Sequence, residues 1–284
     1  MEESRPAWSS AFAAEAVQPV PDLWPTRMIT PDWAWGGADG HGVRVGVIDS
    51  GIDPTHPLVD GRVTGWAEFS EETDGRISER FTPHTDAFGH GTACAGIIRA
   101  LAPEAELVSI KVLGARLSGK GGAFIAGLRW AIAQRLDVVN LSLGSGKRDL
   151  MPLFHELVDQ AYFQGMVLVT AANNLPAVSY PSLFAGVLSV ACHAGQDPYE
   201  FYANPAPPVE FGAPGINLDV AWLEGGQLRV TGNSFAAPHV AGLVARILSK
   251  HPGLTPFQVK TILRATARNA TPGPPLSPPQ RDQR

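Results

Sequence analysis

Short uninterrupted apolar runs alternate along this chain with stretches whose apolar residues recur every three or four positions. The runs are Val43–Ile48, Leu107–Val112, Val138–Leu143, Met166–Ala171 and Val187–Ala191. Runs of this length and composition suit strands buried on both faces. Between them, Phe124, Ile125, Leu128, Ala131 and Ile132 fall on one face of a helix, as do Leu153, Phe154, Leu157, Val158 and Ala161. The second helix has Pro152 in front and Gly165 behind as start and stop signals. Further helical patterns cover Ser234–Lys250 and Pro256–Arg268, the last with Thr255 as N-cap. Strands alternating with helices of this length predict parallel βαβ crossovers. The expected fold is α/β: a doubly wound, mainly parallel sheet flanked by helices, in three layers. Ligands on such sheets bind outside the carboxyl ends of the strands, and Asp49 stands at one such end.

Composition narrows the setting. The 284 residues are 44% apolar and 17% charged, enough for one well-packed domain. Residues 1–22 lack periodicity and read as a flexible, loosely held N-terminal arm. Residues 23–269 form the folded unit, from about Leu23 to Asn269, and residues 270–284 are a Pro-rich tail unable to form helix or interior strand. A net charge of −5 offers no electrostatic attraction to nucleic acid or to an anionic membrane. No apolar run approaches the roughly 18 residues of a membrane span. The acidic start, Met1-Glu-Glu-Ser-Arg-Pro, lacks the basic region of a secretory signal. Two cysteines, Cys94 and Cys192, are too few for a disulfide framework. The default expectation is a cytoplasmic protein, or a secreted one if a leader has been removed. Nothing in the composition speaks to oligomeric state.

Three islands carry the chemistry. Asp49 ends the first apolar run and is followed by Ser-Gly-Ile-Asp53; His90 sits in Gly89-His-Gly-Thr-Ala-Cys-Ala-Gly96; Ser234 sits in Thr231-Gly-Asn-Ser-Phe-Ala-Ala-Pro-His-Val-Ala-Gly242. A serine hydroxyl needs an imidazole to take its proton and a carboxylate to orient that imidazole, and these are the three parts present. Asn233-Ser234 opens a helix, so free backbone N–H groups face the reacting carbonyl oxygen. Other chemistries fit less well. His84, Asp86 and His90 follow no zinc spacing. Ser118-Gly-Lys-Gly-Gly122 is not followed by the Lys-Ser/Thr of a phosphate loop. Gly232-Asn-Ser-Phe-Ala236 lacks the second glycine of an esterase elbow, and the order Asp, His, Ser differs from that fold's.

These segments strongly resemble the subtilisin-like serine protease family, over nearly the whole folded unit, and the Phe211-Gly-Ala-Pro-Gly215 loop fits as well. The resemblance implies a serine endopeptidase acting through an acyl-enzyme. It puts Asn174, in Val169-Thr-Ala-Ala-Asn-Asn174, at the family's oxyanion asparagine, with Asn173 where glycine is usual. It further implies that Leu117-Ser118-Gly119 and Ser142-Leu143-Gly144 are two edge segments between which an extended peptide or protein substrate lies as an added strand.

The same resemblance exposes departures. Relatives place an acidic residue of their tight calcium site just past the His-Pro after the catalytic Asp, whereas His56-Pro57 is followed here by Leu58 and Val59. Ile97-Ile-Arg-Ala-Leu-Ala-Pro103 runs through where a supporting loop interrupts the helix. A calcium site needs roughly six to eight oxygens, so this one is expected to be absent, with no metal and no cofactor. Residues 1–22 are also shorter than the folding pro-domain of many secreted relatives. Cys94 lies one helical turn after His90, where the proteinase K branch has a cysteine, and reads as a small buried hydrophobe. Two alternatives to a general endopeptidase are a dedicated intracellular processing peptidase for one precursor or partner and an inactive peptide-binding scaffold.

Overall fold

The computed structural model describes residues 7, 9–13, 16–17, 29–206 and 208–270. Both the Leu23 boundary and the Pro-rich tail beyond Ala270 lie outside them. Seven parallel strands build the sheet in the order β2-β4-β1-β5-β6-β7-β9. They are β1 (Arg44–Asp49), β2 (Val63–Glu71), β4 (Glu106–Lys111), β5 (Val138–Leu141), β6 (Val167–Ala171), β7 (Leu188–His193) and β9 (Phe211–Pro214). Antiparallel edge strands close it: β3 (Ile77–Arg80) beside β2 and β8 (Tyr202–Ala203) beside β9. A separate ribbon pairs β10 (Leu218–Ala221) with β11 (Gln227–Val230). Phe211–Pro214, expected as a loop, is a fully buried strand; it pairs with β7, so its backbone groups are satisfied in the sheet.

Helices cover both faces. On one lie α1 (Pro31–Trp35), α2 (His90–Leu101), α5 (Asn233–Lys250) and α6 (Pro256–Thr266); on the other lie α3 (Gly121–Ala133) and α4 (Met151–Phe163). Side chains along β1 alternate between these layers. Val45 and Val47 pack toward α2 and α5, while Ile48 packs toward α3. Period-two alternation therefore brings Asp49 out on the α2/α5 face at the strand's carboxyl end. The winding direction changes at β1, whose neighbours are β4 and β5, and a crevice opens there. Thr255 caps α6 with a reciprocal capping box to Gln258, as its sequence position predicts.

In the stretch read as a loosely held arm, Phe12 is buried against Ala172, Ala191 and Val209. Its apolar partners come from three distant segments, which no local periodicity records.

Candidate active site

The three islands meet at the head of the sheet. Asp49 is fully buried, and both its carboxylate oxygens lie 2.8 Å from His90 Nδ1. A carboxylate can only accept, so Nδ1 carries the proton and Nε2 is the free base. The Ser50 N–H donates to Asp49 Oδ1 at 2.7 Å and fixes the carboxylate plane.

His90 is held in turn by Asp86. This carboxylate accepts from the Phe88 and Gly89 N–H groups, from the Thr92 N–H and hydroxyl, and from the Ser50 hydroxyl, all at 2.7–2.9 Å. The first turn of α2 leaves N–H groups without intrahelical acceptors; Asp86 takes up that of Thr92 and Ser50 Oγ that of Gly91, and the Asp86 charge stands at the helix's positive end. The network was missed at sequence level, although an acidic residue four positions before His90 is the cue for it. His84 turns away to Ser109, so His84, Asp86 and His90 do not converge on one ion. Among the described residues, the group whose ligand atoms do lie close together, within 4.8 Å, is Asp49, His90 and Cys94.

Ser234 sits in the first turn of α5, and Pro238 stands four residues later in the same helix. Proline has no N–H, so the Ser234 carbonyl loses its helical donor. Two side chains replace it: the Ser142 hydroxyl donates at 2.7 Å, and Cys94 Sγ lies 3.6 Å away. Cys94 Sγ is also 3.9 Å from Asp49 Oδ2, so the thiol sits between the Asp49 carboxylate and the Ser234 backbone. Burial and the Asp49 charge push the Cys94 thiol far above the ordinary thiol range, which keeps it neutral and unreactive. Among the described residues no hydrogen bond joins His90 Nε2 to Ser234 Oγ.

Burial works against the charged form of His90, but the Asp49 charge, its hydrogen bond and the Asp86 charge outweigh it. The imidazole pKa lies above its ordinary value.

Asn174 follows the end of β6 on an exposed loop. Its Oδ1 accepts the Asn233 N–H at 2.8 Å, so its Nδ2 is the face left for another acceptor beside the start of α5. Asn173, the neighbouring candidate, turns its own Oδ1 to the Leu175 N–H instead. Ser118, Gly119, Ser142, Leu143 and Gly144 line one cavity of about 360 Å³, together with Phe124, Lys120 and Lys147. Close approach of backbone requires glycine at 119, and at 144 a larger residue would displace a serine side chain. A Cβ on Gly119 would meet the Val112 carbonyl at 2.4 Å, and one on Gly144 would meet Ser179 Oγ at 2.2 Å.

A model of the subtilase family matches residues 40–279. The chain belongs to that family. Subtilisin DY of Bacillus licheniformis is 35% identical over 250 residues, covering 82% of this chain and 86% of that protein. Subtilisin E of Bacillus subtilis (strain 168) is 35% identical over 248 residues, covering 81% of this chain but 62% of that protein. A solved cold-adapted subtilisin-like serine proteinase superposes with a TM-score of 0.64 at 27% identity, covering 81% of this chain and 83% of that one. This subtilase is a serine endopeptidase on a three-layer α/β fold. No helix among its described residues is long and apolar enough to cross a membrane.

Proposed function

We propose that this subtilase cleaves peptide bonds with Ser234 as nucleophile, His90 as general base and acid, Asp49 as its orienting carboxylate and Asn174 as the side-chain oxyanion donor. The observation that carries the reading is the buried His90–Asp49 pair, which leaves Nε2 unprotonated, with the imidazole 5.1 Å from the ring of Phe235, the residue after Ser234 at the start of α5. His90 Nε2 takes the Ser234 hydroxyl proton as Oγ attacks the scissile carbonyl, then delivers it to the leaving amine. Water repeats the sequence on the acyl-enzyme. The developing oxyanion is met by Asn174 Nδ2 and the Ser234 N–H. An extended substrate lies between Ser118–Gly119 and Ser142–Gly144, where glycines leave backbone groups accessible. Nucleophile, base and oxyanion donors all come from side chains and backbone, so the reading calls on no cofactor.

The residues do not fit the family's tight calcium site. Val59 is buried among apolar side chains, Leu58 has no side-chain oxygen to offer, and α2 continues from His90 to Leu101 without the supporting loop. Chelation should therefore move the melting temperature by no more than a few degrees; a larger drop argues for a tightly held ion.

Fluorophosphonate labelling tests the catalytic reading. Wild type should take up the label and Ser234→Ala should not; an unlabelled wild type overturns the proposal. Asn174→Ala should lower kcat on the order of 10²–10³-fold, the size associated with this donor in subtilisin, with KM little changed. A loss of that size from Asn173→Ala instead would reassign the donor.

A further inference from the structure

Asn174 carries the oxyanion role proposed above, yet it stands on an exposed loop with two hydrogen bonds among the described residues. One is from the Asn233 N–H to its Oδ1; the other is from the Ala7 N–H to its carbonyl, at 2.6 Å. Half of its tethering thus comes from the N-terminal segment. Ala7 is joined on its other side too, because its carbonyl accepts Asn233 Nδ2 at 2.9 Å.

Asn233 is completely buried. Its Oδ1 accepts the Cys192 N–H of β7, and its Nδ2 faces the carbonyls of Ala172, Asn173 and Ala7. The residue just before the nucleophile therefore ties together the ends of β6 and β7 and the N-terminal segment. Phe12 anchors that segment five residues further on. Its ring fills the space above Gly212, where an added Cβ would lie 2.3 Å from it. Ala172 belongs to the same apolar cluster, two residues before Asn174.

We propose that Ala7 and Phe12 act together as a positioning element of the oxyanion site: Phe12 docks the N-terminal segment, and Ala7, clamped between Asn174 and Asn233, holds the Asn174 amide where charge develops on the substrate oxygen. The inference rests on the oxyanion reading of Asn174. A donor of this kind works only if held within a fraction of an ångström, and an exposed loop does not provide that by itself.

The test is a double-mutant cycle with kcat expressed per active site, titrated by fluorophosphonate. Ala7→Pro removes the N–H donated to Asn174 while leaving Phe12 packed; Phe12→Ala undocks the segment, and Phe12→Leu serves as the conservative control. Ala7→Pro and Phe12→Ala should each lower kcat by about tenfold with KM within about twofold, and Phe12→Leu should restore most of the loss. In an Asn174→Ala background both should have no further effect, because the donor they position is gone. An equal loss in both backgrounds, or a loss confined to the titratable fraction, marks a purely structural segment and overturns the inference. A rise in kcat/KM also overturns it, since the segment would then cover the site. If Asn174→Ala itself leaves kcat unchanged, the oxyanion reading has failed; if it lowers kcat and the effects add, only the positioning inference has.

Discussion

The two walls of the catalytic crevice are built on opposite principles. On the wall formed by Asp49, Asp86 and His90, all three side chains are buried, and Asp86 alone satisfies five donors. On the facing wall, Ser118, Gly119, Lys120, Gly144 and Lys147 are exposed and make few side-chain bonds. Proton transfer requires one geometry, and the buried wall allows one only. Peptide recognition requires a free backbone edge, and the open wall keeps side chains clear of it. Errors on the first wall should cost turnover and folding together; changes on the second should redistribute preference among substrates.

The strongest way to break this contrast is Asp86→Ala. It removes the acceptor of five donors, of which the Phe88 N–H is part-buried and the Ser50 hydroxyl keeps Asp49 within reach, and it releases the helix start that carries His90. Stability should fall by about 3–5 kcal/mol and kcat/KM per titrated site on the order of 10²-fold. Chemical denaturation and burst titration measure the two. A near-neutral result would mean that the carboxylate is decoration and His90 is held by Asp49 alone.

A smaller effect is read from pH. His90 must be neutral to act as base, and its pKa is raised by Asp49 and Asp86 against the cost of burial. The acid limb of kcat/KM should therefore have its midpoint above the ordinary imidazole value of about 6.5. A limb at or below that value contradicts the electrostatic account of this wall.

Helix α5 carries an imidazole of opposite behaviour. His239 bonds to the Phe235 carbonyl one turn after the nucleophile, and burial lowers its pKa to about 4. The unfolded chain binds this proton at about 6.5, so His239 costs stability as pH falls from about 6.5 toward 4. His84 and His193, also lowered chiefly by burial, add in the same direction. His90, with a raised value, contributes the reverse sign: its stabilisation is present at low pH and is lost as pH rises through its folded value. Melting curves of the inactive Ser234→Ala variant between pH 7 and pH 4 should show a fall that His239→Gln lessens. A flat profile would show that the buried histidines do not dominate.

The smallest expected change lies on the open wall. Lys147→Glu reverses a charge at the rim of the proposed substrate cavity, in contact with solvent. It should alter the ratio of kcat/KM for acidic against basic peptides by less than about tenfold, more weakly at high salt, with kcat unchanged. A loss of kcat there would erase the distinction between the walls.

How much of this was legible beforehand follows from how local each signal is. The central strands and α3–α6 were visible because continuous apolar runs and single-face periodicity survive in any window. β2 was not: Val63, Ala67 and Phe69 face the core, but threonine, glycine and glutamate between them break the run. β9 escaped because Phe211-Gly-Ala-Pro reads as a turn, and only pairing with β7 makes it a strand. In the proposed site, Asp49, His90 and Ser234 stand out in the sequence because each is embedded in its own glycine- and alanine-rich context. Pro238 was visible too, but the residues that answer its missing donor were not.

The sequence by itself thus determined the sheet and carried the groups proposed to react on it, since both are written in contiguous residues. Tertiary structure alone decided what holds them: Ser142 and Cys94 on the Ser234 carbonyl, Asp86 under the start of α2, and Asn233 joined to Ala7 across 226 positions of chain. Such hydrogen bonds depend on distance and angle between groups far apart in sequence. No periodicity encodes them, and the fold must form before either partner can be named.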